Sequence, residues 1–248
     1  MHPSRTVRAA LEMAAQGATA STIGHELGIS RSTVRYWLAG GSERLRRRHE
    51  AGCSRCGVEH DLRWLPPDYA YLLGLYLGDG CISKYPRGVY KLRIVLDVKY
   101  PGIIDSAASA IGLVRGGKAH IQLRPNNCVE VSAYWRAWPC LFPQHGPGKK
   151  HEREIALVSW QHAVANCWPE QLLRGLVESD GCRFQNTGRG GWSCPRYSFM
   201  NKSDGIRAIF CRSCEQMGVH WTASGSYTIY VSRKADVARL DEFIGPKR

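Results

Sequence analysis

The chain has 248 residues, 44% of them hydrophobic, which is enough for one large domain or two smaller ones with a real core. Its net charge of +13 favours a polyanionic partner bound through phosphate contacts and counterion release, and no basic amphipathic helix suited to a lipid surface stands out. No apolar run approaches the roughly eighteen residues of a membrane span, and MHPSRTVRAALEMAAQ breaks its apolar stretch with Arg8 and Glu12, unlike a signal peptide. The expectation is a cytoplasmic protein.

The first elements form a small basic head. One apolar helix carries Val7, Ala10, Leu11 and Ala14, and STIGHELGISRSTVRYWL then reads as helix, tight turn at Gly28–Ser30, and second helix. Ser21 and Ser30 are the expected N-caps of this helix pair. Ile23, Leu27, Ile29, Val34 and Leu38 are its expected core. The layout resembles the helix-turn-helix modules of bacterial regulators and transposases. That resemblance implies that Arg31, Ser32, Thr33, Arg35 and Tyr36 face the major groove or nearby phosphates.

AGGSERLRRRHEAG follows, polar and strongly basic, and reads as a linker whose Arg46, Arg47 and Arg48 lie along a phosphate backbone. Ten cysteines in a cytoplasmic chain argue for thiols or metal ligands over disulfides. Cys53 and Cys56 have C-x-x-C spacing, as do Cys211 and Cys214, so the four together are candidate ligands of a structural zinc. His49 or His60 joining Cys53 and Cys56 is the local alternative. The other six cysteines are expected to be core thiols. The boundaries expected are 1–40 for the head, 41–64 for the linker and knuckle, and 65–150 and 151–248 for two halves of a duplicated body.

The duplication is read from matched segments. LLGLYLGDG ends an apolar helix at Asp79 and Gly80, and LRGLVESDG does the same at Asp180 and Gly181. Each is followed by a hairpin-like stretch and a strand signal, VYKLRIVLDV against PRYSFMN. A helix comes next, IIDSAASAIG against IRAIFCRSCEQMG, then further strand signals, NCVEVSAYW against SYTIYVSRK. The halves close on HGPGKK and IGPKR, each with lysine shortly after Gly-Pro.

These two nonapeptides resemble the signature of the LAGLIDADG homing endonuclease family, over roughly residues 65 to 247. The arrangement as a whole is similar to a set of actinobacterial proteins that join a helix-turn-helix to such repeats. Leu77, where many members have a carboxylate, and Arg174, in place of a small residue, are departures. The resemblance implies an α+β fold of two pseudo-symmetric αββαββα repeats with saddle-shaped antiparallel sheets, after a small all-α helix-turn-helix domain. It implies double-stranded DNA as partner, one chain acting as a monomer through its two repeats, and a bacterial, nucleoid-associated setting.

Gly74 and Gly78 lie four apart on one helix face, as do Gly175 and Ser179, and small residues there allow two backbones to approach closely. Packed together, the helices bring Asp79 and Asp180 side by side, with Gly80 and Gly181 expected to leave through left-handed caps. Adjacent carboxylates repel, and each opposes its own helix dipole. A Mg²⁺ or Mn²⁺ ion held by oxygen ligands offsets that cost and assists phosphodiester hydrolysis. The resemblance adds the carbonyls of Gly78 and Ser179 as further ligands. It also adds Lys149 or Lys150, with Lys247, as catalytic lysines, and Lys91, Arg93, Gln122, Arg124, Arg196 and Tyr230 as groove-facing strand residues.

The leading expectation is a site-specific, metal-dependent endonuclease of duplex DNA. The alternative is a DNA-binding transcriptional regulator that uses the same fold without cutting. A protein-splicing element is excluded, because no splicing domain with its flanking nucleophile is apparent.

Overall fold

The computed structural model describes residues 4–39, 53, 55–58, 60, 62 and 65–248. Its contacts divide the chain into two units, Met1–His60 and Asp61–Arg248. Arg46, Arg47, Arg48 and His49 lie outside the described residues.

In the first unit three helices, α1 (Ser4–Ala15), α2 (Ala20–Glu26) and α3 (Arg31–Leu38), enclose a small core of Ala10, Ile23, Ile29, Val34 and Trp37. Gly28 takes φ +64°, the left-handed conformation that the turn between α2 and α3 requires. Ser30 caps α3, its hydroxyl accepting from the Thr33 amide at 3.2 Å. Two expectations need correction. Thr19, not Ser21, caps α2, because the chain reverses at Gly17 (φ +90°) and the hydroxyl nearest that reversal meets the Thr22 amide. Leu38 is 39% exposed, whereas Trp37, three residues after Val34 on the buried face, fills the core with its larger ring.

The second unit is built from two matching sets of elements. The first set is α4 (Pro67–Asp79), β1 (Gly80–Tyr85), β2 (Val89–Asp97), α5 (Pro101–Arg115), β3 (His120–Arg124), β4 (Cys128–Trp135) and the short α6 (Trp138–Leu141). The second begins with an added helix, α7 (Ser159–Cys167), absent from the expected scheme. It continues through α8 (Pro169–Asp180), β5 (Gly181–Thr187), β6 (Ser193–Met200), α9 (Asp204–Gln216), β7 (Thr222–Ser224), β8 (Thr228–Val231) and α10 (Lys234–Asp241). The sheets are four-stranded and antiparallel, ordered β1-β2-β4-β3 and β5-β6-β8-β7, so the repeats share one topology. Alternation buries Leu92, Ile94, Val129 and Val131 in one sheet and Tyr197, Phe199, Ile229 and Val231 in the other. Among the described residues, no helix is long and apolar enough to cross a membrane.

The repeats meet along α4 and α8, where small residues permit backbone contact. A Cβ on Gly74 would stand 2.6 Å from the Leu172 carbonyl oxygen and from the Leu176 nitrogen. One on Gly175 would collide with the Tyr71 carbonyl and lie 3.0 Å from Gly74 Cα. A Cβ on Gly78 would overlap the Ser179 side chain. The pairs Gly74 with Gly175 and Gly78 with Ser179 are therefore those that the four-residue spacing predicts. Beside this seam Arg174, a departure from the family pattern, donates to buried Glu178 at 2.8 Å and to Ser106 at 3.1 Å, and its guanidinium stacks on Tyr71. Tyr71 donates its hydroxyl to the other Glu178 oxygen at 2.5 Å, which ties the two repeats together. Leu77 is fully buried.

Gly80 and Gly181 do not form the expected left-handed caps. Their φ values of −90° and −103° are extended, and each opens a strand directly from the helix end. Glycine is needed for space: a Cβ at Gly80 would stand 2.5 Å from Tyr76 Cα, and one at Gly181 2.7 Å from Val177 Cα.

Two outcomes follow from this packing. Gly175→Val forces the helices apart, and chemical denaturation should register a loss of about 3 kcal/mol or more. Ser30→Ala removes a cap and should destabilise α3 by about 1 kcal/mol, seen as faster exchange of the α3 amides in the full chain.

Candidate active site

Asp79 and Asp180 end the paired helices, and each helix terminus receives a lysine. Lys150 donates to the carbonyls of Leu77 and Gly78, both at 3.0 Å, and to that of Tyr76, with its ammonium 4.8 Å above the Tyr76 ring. Lys247 donates to the Ser179 carbonyl at 3.0 Å. Cations thus sit on the negative ends of the helix dipoles, where they are most favourable. They also distinguish between the two lysines expected from the first repeat: Lys149 is exposed and pairs with Glu152 at 3.4 Å, while Lys150 reaches the helix end. The carbonyls of Gly78 and Ser179, expected as metal ligands, each accept from one of these lysines.

The charges shift one another. Burial, then the nearby Asp180 carboxylate, raises the Asp79 carboxyl to about 6, against the opposing pull of Lys247 and Lys150. Asp180 is raised as well, chiefly by burial. Burial lowers the Lys150 ammonium to about 8 and lowers Lys247 in the same direction, with both aspartates opposing. Two acids and two bases therefore share one site, each with its charged form held at a cost. A cleft of about 460 Å³, lined by Tyr76, Gly78, Lys150, Asp180, Asn201 and Lys202, opens beside Asp180 and Lys150.

Asn201 was not singled out in the sequence. It donates from Nδ2 to Asp180 Oδ2 at 2.6 Å. Strand register was the available signal: Gly181 pairs with Phe199, which places Asn201 just beyond on the chain returning past the acid. In the first repeat Gly80 pairs with Ile94, so the corresponding residue is Leu96, which is buried and apolar. The two acids sit in equivalent frames with different neighbours.

Lys91, Arg93, Gln122 and Arg124 all lie on the sheet face opposite the core, aligned across β2, β4 and β3 with Tyr134, Ser132, Glu130 and Cys128. Arg196 and Tyr230 share the corresponding face of the second sheet, where the Arg196 guanidinium stands 5.9 Å from the Tyr230 ring centre. The positions differ in availability. Lys91 is buried against Glu130 at 2.6 Å, and Arg124 pairs with the same carboxylate at 2.7 Å. Arg93 donates to Ser83 at 2.8 Å and Gln122 is exposed. In the first unit Arg31, Ser32, Arg35 and Tyr36 are exposed on α3, and Thr33 is half-buried, its hydroxyl 2.7 Å from that of Ser30.

The cysteines also fall differently from expectation. Cys53 and Cys56 come together with His60, the local alternative, their ligand atoms within 4.8 Å of one another. Burial lowers the His60 imidazole below its ordinary range. Cys211 and Cys214 are not part of that cluster. They stand three apart on α9, where burial pushes Cys211 to about 11 and Cys214 higher still, as befits thiols packed into a helix's apolar face. Of the other six, Cys140 and Cys194 are buried. Cys81, Cys167 and Cys182 are exposed, because Cys81 and Cys182 fall on the polar faces of β1 and β5 and Cys167 ends α7. No disulfide joins any of the ten.

No protein-family model matches the chain, and no curated protein matches it. Among solved structures, it is similar to the LAGLIDADG meganuclease I-AabMI bound to uncleaved DNA, at 12% identity, over 72% of this chain and 83% of that one, with a TM-score of 0.46. It is similar to I-DmoI in complex with DNA and Mn at 15% identity, over 75% of this chain and 98% of that one, TM-score 0.46. Mesophilic variants of the homing endonuclease I-DmoI match at 16% identity, over 71% and 90%, TM-score 0.48. On its own architecture, two topologically identical repeats packed through glycine-faced helices that each end in Asp-Gly, the chain has a LAGLIDADG-like fold.

Proposed function

We propose that this protein is a site-specific endonuclease of duplex DNA that depends on a divalent cation, Mg²⁺ or Mn²⁺. The observation that carries the reading is the two-fold pairing of Asp79 with Asp180 at one seam, with Lys150 and Lys247 on the matching helix termini. Nothing in packing calls for two carboxylates with raised proton affinities at adjoining helix ends. A site that works against the stability of its own scaffold is where function is expected.

The donor set fits a hard cation. Asp79 and Asp180 offer carboxylate oxygens, and the Gly78 and Ser179 carbonyls keep a second lone pair beyond the lysine bond. When bound, the ion neutralises the acids and supplies Lewis-acid stabilisation of charge developing on the phosphate. The chain's own residues do the rest. Asn201 fixes the orientation of Asp180 through one oxygen and leaves the other for the cleft. Lys150 spends its three N–H bonds on three carbonyls and so holds the end of α4 in place. Lys247 has the Ser179 carbonyl as its acceptor among the described residues, which leaves N–H bonds to orient water or meet a phosphate oxygen.

Duplex DNA is the substrate that the charge supports. The polar sheet faces carry Arg93, Gln122 and Arg196, and a net charge of +13 suits a phosphate backbone. We read α3 as a second DNA contact through Arg31, Ser32, Thr33, Arg35 and Tyr36. One chain contains both acids, so a monomer suffices to address both strands.

Cleavage of a randomised duplex library with Mg²⁺ or Mn²⁺ tests the reading. Wild type should give discrete products, and Asp79→Asn or Asp180→Asn should each slow cutting of at least one strand by about a hundredfold or more while binding persists. Wild type that binds duplexes but yields no product with either metal would make the protein a non-cutting regulator.

A second outcome concerns pH. Asp79 has its folded value near 6, above the ordinary 3.8, so its ionisation opposes folding. The penalty is absent below about pH 4 and complete above about pH 6. Asp79 is exposed at the helix end, so solvent screening reduces the effect to about 1 kcal/mol or less. Metal-free Asp79→Asn should therefore melt about 2–4 °C above wild type near neutral pH, with the gap closing at acid pH. Equal melting temperatures at both pH values would remove the strain argument.

A further inference from the structure

The first unit holds a cluster that the nuclease reading does not use. Gly57 donates its amide to the Cys53 carbonyl at 2.7 Å, and Cys53 donates to the Val58 carbonyl at 3.1 Å. These two bonds hold Cys53 against Gly57 and Val58 in a tight turn, which Gly57 completes at φ +66°. Cys53 and Cys56 from this turn and His60 just after it each offer one ligand atom, all within 4.8 Å of one another.

His60 supplies an independent observation. Both of its ring nitrogens are buried, and neither has a hydrogen-bond partner among the described residues. Burying such an atom unsatisfied is costly, and an imidazole with two of them is anomalous unless a ligand takes one. A disulfide between Cys53 and Cys56 would leave that ring as it is. A cation would engage all three side chains together.

We propose that Cys53, Cys56 and His60 bind a structural Zn²⁺ ion. Two thiolates and an imidazole form a soft, borderline donor set that prefers zinc to Mg²⁺ or Ca²⁺. With zinc–sulfur distances of about 2.3 Å, tetrahedral geometry sets sulfurs about 3.8 Å apart, within the observed span. Binding displaces one proton from each thiol, so the zinc-bound thiolates balance the ion's charge, and a fourth donor completes the tetrahedron. The site differs in kind from the aspartate pair, which offers oxygen only. The protein thus discriminates between a permanent soft-ligand metal held by Cys53, Cys56 and His60 and an exchangeable hard one.

The experiment is elemental analysis of the full chain purified without chelator, with zinc release by a mercurial thiol reagent followed by an indicator. We expect about one zinc per chain. Cys53→Ser, Cys56→Ser and His60→Ala should each reduce this to about a tenth or less, while the Asp79→Asn, Asp180→Asn double variant retains it in full. Should a knuckle variant fail to fold, cobalt loading of wild type decides, because thiolate-bound tetrahedral Co²⁺ absorbs intensely and oxygen-bound Co²⁺ does not. Wild type that contains no zinc and gives no such absorption would overturn the proposal. So would zinc that persists in a Cys53→Ser, Cys56→Ser double variant, or a Cys53–Cys56 disulfide in the native protein. None of these results depends on DNA cleavage, so this proposal and the nuclease reading fail separately.

Discussion

The contact of Gly74 against Gly175 sets the distance between the two halves, and with it everything that the site can do. A side chain at either position would meet backbone on the opposing helix, and backbone cannot rotate aside as a side chain can. Four residues further on, Gly78 meets Ser179, and the next positions are the two acids. Carboxylates at the ends of separated helices would be ordinary solvated groups. Brought to one seam, both acids gain proton affinity through burial, Asp79 further through the Asp180 carboxylate, and two lysines stand beside them, so a steric fact about four small residues becomes an electrostatic one.

Around that seam the protein combines rigidity with latent charge. Arg174, Glu178 and Tyr71 form a hydrogen-bonded bridge across the repeats, in which the buried Glu178 carboxylate has a cation and a phenol as partners. Buried ions held this way are costly to disrupt from one side, which suits a joint whose geometry must not drift. Lys91 and Glu130 make a comparable pair on the polar face of the first sheet. That face is therefore less basic in effect than its composition suggests, and Arg93 and Gln122 are better placed to meet a polyanion.

Much of this was legible in the residues. The repeated Asp-Gly after an apolar helix, the four-residue spacing of small residues and the matched strand signals were enough to specify two repeats of one topology. The turn at Gly28 and the cap at Ser30 were equally readable, since both follow from local backbone geometry. What failed were choices made by longer-range packing. Gly80 and Gly181 looked like left-handed caps, but their role is to clear the preceding helical turn while a strand begins. Trp37 displaced Leu38 from the small core, and the spacing of Cys211 and Cys214, which also suits a metal, served to bury a helix face. Asn201 was hidden because its partner is set by strand register, which the one-dimensional pattern does not disclose.

Because the two halves belong to one polypeptide, a change in one need not be copied into the other. Asn201 beside Asp180 and Leu96 at the equivalent strand position of the other repeat are such a change: one acid is gripped by an amide, while the matching residue of the first repeat is apolar and buried. An assembly of identical subunits would be compelled to repeat the same neighbour twice. Here the molecule possesses a left and a right, so its two ends present different chemistry to anything laid across them.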